Sequence, residues 1–362
     1  MKAKRDLLID SPISAVDLFC GAGGLSYGLR QAGIKIDAGI DIDGQAEYAY
    51  THNNPGVQFL RWDLSHKNCR SIKALFQPGK LRLLAGCAPC KPFSKLTNGL
   101  KKHNDWDLLD YFSRFVKGVI PDLITMENVP ELVNRGSDVF SRFIRTLEIR
   151  EYSVDWKIVN CSEYGVPQAR RRLVLLASRV GDIKIPRSLY PSPEQWKTVR
   201  QTIGELSPLK IGEIDPIDPL HAAPLLSQLN LKRLQATPRN GGTRRAWPKK
   251  LMLACHRKKS GATYHSIYGR MWWDKPAPTM TTLCTGIGNG RFGHPEQDRS
   301  ITLREAALFQ SFPQQYVFWP PEEILNRSAV SKLIGNAVPP VLAEALGVAI
   351  MQHLQQNTSP IL

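Results

Sequence analysis

The first half of the chain alternates short apolar, β-rich runs with amphipathic stretches, and this alternation narrows the fold more than any other feature. Parallel strands cannot be joined by tight turns, so each needs a crossover segment, usually a helix. Ile13 to Phe19 reads as a first strand, Lys35 to Ile42 as a second, Val57 to Leu64 as a third and Leu81 to Leu84 as a fourth. Asp122 to Met126, Ser153 to Val159 and Leu173 to Ala177 continue the series. The turn Gly21-Ala22-Gly23-Gly24 follows the first strand, with a helix from Leu25. After the fourth, Leu108, Leu109, Phe112, Phe115 and Val116 fall at helical spacing, and Asp105 is placed to cap that helix. The pattern predicts an α/β fold, a doubly wound and mostly parallel sheet.

The texture then changes. Prolines at 186, 191, 193, 208, 216, 219 and 224 interrupt regular elements, and from Lys232 to Arg299 the chain is basic and rich in Trp, Tyr and His. Ser331 to Leu354 reads as a turn followed by an apolar helix. We therefore expect a catalytic domain over residues 1–190, completed by 326–362, and a smaller loop-rich domain over 191–325. The formal net charge of +16 favours a polyanionic partner, because neutralised phosphates release condensed counterions. An anionic membrane surface would suit the charge too, but no basic amphipathic helix stands out. No stretch reads as a membrane span, and the basic N-terminus lacks a long apolar run before Asp10, so the expected location is the cytoplasm. Seven cysteines at irregular spacing give no disulfide framework. Cys87 and Cys90 form a CxxC, but no second close pair completes a zinc set, so no metal is expected.

Glycines between a strand and a helix let a ligand approach backbone near a helix N-terminus, a cradle many nucleotide binders share. Asp41, closing the second strand, has the position of a ribose-hydroxyl acceptor, and Asp63 could take an adenine amino group; each reads equally as a solvated loop carboxylate. Cys90 follows the fourth strand, where open α/β sheets bind ligands, with Pro89 stiffening the turn before it. A free thiol is mostly protonated at neutral pH, so a nucleophile here needs activation; a buried structural cysteine is the plainer reading. Glu127-Asn128-Val129 ends the fifth strand, where a carboxylate can act as an acid or meet a base edge. In the run Gln168-Ala169-Arg170-Arg171-Arg172, an extended backbone would point Arg170 and Arg172 the same way, as a site or as a solvated basic edge.

In this order, Asp17-Leu18-Phe19-Cys20-Gly21-Ala22-Gly23-Gly24, Pro89-Cys90-Lys91-Pro92-Phe93-Ser94, Glu127-Asn128-Val129 and Gln168-x-Arg170-x-Arg172 resemble the cytosine-C5 DNA methyltransferases. The resemblance continues through Arg304-Glu305-x-Ala307, Gln310-Ser311-Phe312-Pro313 and Gly335-Asn336-Ala337-Val338-Pro339-Pro340. It implies a Rossmann-like methyltransferase fold and S-adenosylmethionine as cofactor, released as S-adenosylhomocysteine. Asp17, Phe19, Gly21, Gly23 and Gly24 would form the cofactor cradle, with Asp41 at the ribose, Ile42 against the adenine and Asp63 at its amino group. Pro89, Asn336 and Val338 would complete it. Cys90 would attack C6 of a flipped cytosine, Glu127 would bond N3 and the exocyclic amine, and Arg172, with Arg170 beside it, would contact O2.

Lys91 stands where the family usually has Gln, opening a loop that closes over DNA; Lys91, Ser94 and Gln168 are implied DNA contacts. In the unmatched middle, Arg244, Arg245, Arg257, Lys258 and Lys259 suit phosphates, and Arg239, Asn240 and His256 are possible base readers. The resemblance thus implies a duplex-DNA methyltransferase, a monomer of bacterial restriction-modification type, with a cognate endonuclease as a possible companion. The same chemistry on transfer RNA, or a DNA-binding regulator without catalysis, are the alternatives.

Overall fold

The computed structural model describes residues 11–88, 107–257 and 266–357, and the chain divides into two compact units. The larger comprises residues 1–160, 171–189 and 337–362; the smaller comprises 161–170 and 190–336. The division falls at 336/337, eleven residues beyond the 325/326 boundary expected from composition, and the segment 161–170 joins the smaller unit.

In the larger unit the strands are β1 (Ile13–Leu18), β2 (Lys35–Asp41), β3 (Gln58–Arg61), β4 (Leu81–Gly86), β5 (Leu123–Asn128) and β6 (Ser153–Asn160). With β8 (Arg171–Ser178) they form one seven-stranded sheet in the order β3-β2-β1-β4-β5-β8-β6. β7 (Gln168–Ala169) and β9 (Ala277–Pro278) make a short parallel ladder in the smaller unit. β1 to β5 run parallel, while β8 is antiparallel to both β5 and β6. Central and edge strands differ as their sequences require. Every residue of β1 and β5 is buried, so apolar side chains dominate both faces and the buried polar ones, Asp17 and Glu127 among them, need partners, whereas the edge strand β3 is half-exposed. β3 is shorter than the apolar run suggests, because Asp63 accepts from Ser65 N and caps a tight turn that ends the strand.

The helices of this unit are α1 (Gly24–Gln31), α2 (Glu47–Asn53), α3 (Cys69–Lys73), α4 (Asp107–Val119), α5 (Glu131–Asn134) and α6 (Ser137–Ile149). The smaller unit contributes α7 (Val199–Ile203), α8 (Gln228–Gln235), α9 (Ala254–Arg257), α10 (Leu303–Phe309) and α11 (Arg327–Asn336), and the larger unit closes with α12 (Pro340–Asn357). Leu109, Phe112, Phe115 and Val116 of α4 are buried with Phe140 and Phe143 of α6 in one core against β4 and β5. Asp105, expected to cap α4, lies outside the described residues. Ser331, expected in a turn, sits inside α11; the break falls at Ala337–Pro339, where Pro339 forbids continuation and Pro340 opens α12.

One sequence expectation is corrected. The segment Arg327–Asn357 holds an 18-residue window with a mean hydropathy of 1.6, apolar enough to cross a bilayer by composition. That window is 72% buried inside the protein, with Leu342, Leu346 and Ile350 of α12 fully covered, so the apolarity belongs to a core helix. α12 packs on α1, and Gly28 makes the close approach possible: a Cβ there would lie 2.2 Å from Pro340 O and 2.5 Å from Ala343 Cβ.

Gly28→Ala should therefore destabilise the protein. The helix-propensity gain of about 1 kcal/mol is outweighed by an overpacking cost of about 1–3 kcal/mol or more, since a backbone carbonyl must move. Thermal unfolding checks this, and a variant melting at or above the native temperature would show that the helices do not meet so closely.

Candidate active site

Parallel pairing brings the carboxyl ends of β1 to β5 to one edge of the sheet. Leu18 is in register with Ile40 and Gly86, Asp41 with Arg61, and Gly86 with Met126. The ladder is prolonged one step past the strands: Cys20 N donates to Ile40 O, Trp62 N to Asp41 O, and Cys87 N to Leu18 O. The residues just beyond this edge are those the sequence singled out.

The chain leaves β1 through three left-handed residues, Phe19 (φ 61°), Gly21 (φ 49°) and Gly23 (φ 87°), before α1 begins at Gly24. Phe19 adopts that conformation at a cost no glycine would bear, while its ring still packs on the core. Asp41 accepts from Gly21 N at 2.8 Å and from Asp43 N at 2.9 Å, so its carboxylate ties the end of β2 to the glycine turn. Burial is the first cause that raises its pKa. Ile42 is 62% exposed, an uncovered apolar side chain directly after that acid. Asp63 lies at the end of β3, with Ser65 N and Oγ both donating to its Oδ1, and these bonds lower its pKa. A Cβ at Gly21 would meet nothing within 4 Å. Open space beside a glycine turn, two acids and an exposed aliphatic side chain fit the polar and apolar surfaces of an adenosyl group.

Behind the turn, Asp17 is fully buried. Ser26 Oγ donates to its Oδ2 at 2.7 Å, Oδ1 has no hydrogen-bond partner, and burial raises the pKa to about 7. This makes Asp17 a support of the cradle from below.

At the end of β5, Glu127 is 3% exposed. Arg172, on β8, brings Nε within 2.8 Å of Oε1, an ion pair without good hydrogen-bond alignment. Cys87 donates its thiol to Oε2 at 2.9 Å. Asn128 Nδ2 donates to Ala88 O at 3.0 Å and so anchors the chain just past β4. Gly86 permits this packing: a Cβ there would lie 2.7 Å from the Phe112 ring and 2.9 Å from Leu18 O. Pro89, Cys90, Lys91 and Ser94 lie outside the described residues, as do Lys258 and Lys259.

The smaller unit corrects several expectations. Gln168, expected to meet DNA, is fully buried: Nε2 donates to Phe309 O and Gln310 Oε1, while Oε1 accepts from Met280 N. It clamps three segments together. Arg170 does not share a face with Arg172, because Arg170 N turns back to Gln168 O and interrupts the extended run. The Arg170 guanidinium is buried and donates to Met280 O and Gly335 O. Arg244, expected at a phosphate, is only 3% exposed. Arg245 and Arg257 are exposed, and Arg257 also donates to Lys249 O and Met252 O. Asn240 Oδ1 accepts from Trp273 N, and His256 packs against the Trp247 and Tyr268 rings, which also touch each other. Asn336 is exposed at the end of α11 and Val338 is buried after it. The contact of the Cys87 thiol with Glu127 has no signal in the sequence, where the CxxC is weighed only as part of a zinc set.

A family model described as C-5 cytosine-specific DNA methylase matches residues 13–352. The chain is 47% identical over 345 residues to the Type II methylase M.HgiDII of Herpetosiphon aurantiacus, covering 94% of this chain and 96% of that protein. It is 30% identical to the Type II methyltransferase M1.HphI of Haemophilus parahaemolyticus, covering 96% and 88%. A crystal structure of a DNA modification methyltransferase encoded within a prophage of E. coli is similar in fold. Its TM-score is 0.72 at 21% identity, covering 94% of this chain and 99% of that one.

Two outcomes follow from the carboxyls of the larger unit. Asp17 binds its proton more tightly folded than unfolded, so its contribution is fully present below about pH 4 and is lost as pH rises through about 7. Urea titrations across this range should show Asp17→Asn with a smaller loss of stability between pH 4 and 7 than the native chain; identical slopes would refute the protonated state. Arg172→Ala strands the Glu127 carboxylate and should cost about 3 kcal/mol at pH 7, read from the same titrations.

Proposed function

We propose the following catalytic cycle for this chain, which belongs to the C-5 cytosine-specific DNA methylase family and is a DNA (cytosine-5-)-methyltransferase. A target cytosine leaves the duplex, since its ring cannot be reached while stacked, at a cost of a few kcal/mol. Cys90 adds as thiolate to C6. Cytosine C5 is too weak a nucleophile alone, and this addition makes it enamine-like. Glu127 bonds N3 and the exocyclic amine and disperses the charge that develops on the ring, while Arg172 contacts O2. S-adenosylmethionine, when bound, supplies the electrophilic sulfonium methyl that C5 accepts. Loss of the C5 proton and of the Cys90 thiolate then restores the aromatic ring.

One observation carries this reading: the buried Glu127 carboxylate, fixed at a parallel strand end by Arg172, beside the chain just past β4, anchored through Asn128 and Ala88. Cys90 is two residues further along the chain from Ala88. Phe19, Gly21, Gly23 and Gly24 would cradle the cofactor, with Asp41 at the ribose, Ile42 covering the adenine and Asp63 at its amine. Asp17 supports the turn, and Pro89, Asn336 and Val338 complete the pocket.

The smaller unit serves as the target-recognition domain. Its exposed Arg245 and Arg257, with Lys258 and Lys259, contact phosphates and set position without reading sequence. Lys91 and Ser94 meet DNA from the loop that carries Cys90. The enzyme works as a monomer in the bacterial cytoplasm, treating each strand in turn, with a cognate restriction endonuclease as companion.

Tritiated S-adenosylmethionine with mixed-sequence duplex DNA tests the cycle, comparing the native chain with Cys90→Ala and mapping products by bisulfite sequencing. Label on C5 of cytosine within one short motif, lost in the variant, is expected. Transfer to transfer RNA but not to duplex DNA, or transfer that survives Cys90→Ala, would overturn it.

A further inference from the structure

Glu127 has two oxygens, and the two are held differently. Oε1 faces the Arg172 guanidinium at 2.8 Å, a fixed positive charge on the neighbouring strand. Oε2 receives the thiol of Cys87 at 2.9 Å. Cys87 is placed for this by the sheet itself: its N–H donates to Leu18 O, prolonging the β1–β4 ladder, and β4 and β5 are parallel neighbours. The contact is therefore made by backbone-positioned atoms across adjacent strand ends, on a carboxylate that is 3% exposed.

We propose that Cys87 is a positioning residue for the methyl transfer: its thiol holds Oε2 of Glu127 in place until the cytosine edge takes over that oxygen. The proposal rests on the role given to Glu127 in the cycle above. A thiol is a weak donor, so it orients the carboxylate while remaining the partner most easily exchanged for a base edge. A hydroxyl in its place would donate more strongly, and an alkyl group would leave Oε2 desolvated without a donor.

Cys87→Ala and Cys87→Ser separate these effects. With duplex DNA carrying the mapped motif, Cys87→Ala should lower kcat about tenfold, the loss expected for about 1.4 kcal/mol of orientation, with the KM for S-adenosylmethionine unchanged. The KM for duplex DNA should change less than kcat, because the thiol orients a group that acts in the transition state. Cys87→Ser should recover most of kcat. Circular dichroism and cofactor binding by calorimetry confirm that both variants are folded. The proposal is overturned if Cys87→Ala matches the native chain in kcat, if its loss appears in KM rather than kcat, or if Ser does not restore kcat. Failure of the underlying cycle is seen separately, in a native chain that transfers no methyl to DNA or in a Cys90→Ala variant that still does.

Discussion

Five strands running in the same direction leave five chain ends at one edge of the sheet, and the larger unit's candidate chemistry is assembled there. Phe19 and the glycine turn, Asp41 and Ile42, Asp63, Cys87 and Glu127 come from five separate segments spread over more than a hundred residues. The register that aligns Leu18 with Ile40 and Gly86, and Gly86 with Met126, makes them neighbours. A parallel ladder cannot be shifted without turning every side chain to the opposite face, and here both faces are buried. The site is therefore specified by the same apolar runs that specify the core.

That dependence explains what the sequence made legible. Runs such as Ile13 to Leu18 and Leu123 to Asn128 announce buried strands by composition, and the residues following them fall at the edge by topology alone. Glu127 and Asp41 were found this way. The Arg170–Arg172 pairing expected from the sequence does not form, because it assumes an extended backbone through residue 170, where the chain instead turns and passes between units. The thiol–carboxylate contact was missed because it joins residues 40 apart on adjacent strands, and no local pattern reports which strand lies beside which.

The smaller unit misled for a different reason. Its backbone is short of regular ladders, so buried carbonyls need side-chain donors, and arginine offers five N–H groups. Arg270, 1% exposed, donates to Leu234 O, Thr237 O, His294 O and Gln297 O. Arg170, Arg244, Arg291, Arg299 and Arg304 are buried as well. A basic composition was read as a surface charge for phosphates, yet six arginines of this unit are interior. Charge alone cannot distinguish a guanidinium that binds a polyanion from one that stitches loops; only burial does.

Three buried carboxyls show how the fold separates structure from chemistry. Burial opposes ionisation of Glu305, but Arg299 pairs with both its oxygens and Thr302 N adds a third donor, so its pKa falls to about 2. Such a group is locked and has no oxygen to offer. Asp17 has one hydroxyl donor and no cation beside it, and burial keeps it protonated up to about pH 7. It supports a turn and carries little charge below that pH. Glu127 is held differently from both, with one oxygen against a guanidinium and the other on a thiol. The guanidinium compensates enough charge to let a carboxylate stand at a buried strand end, and the thiol occupies the remaining oxygen weakly. The proposed cycle asks a carboxylate to change partners, and an oxygen held by a thiol is freer to do so than one held by a bidentate arginine.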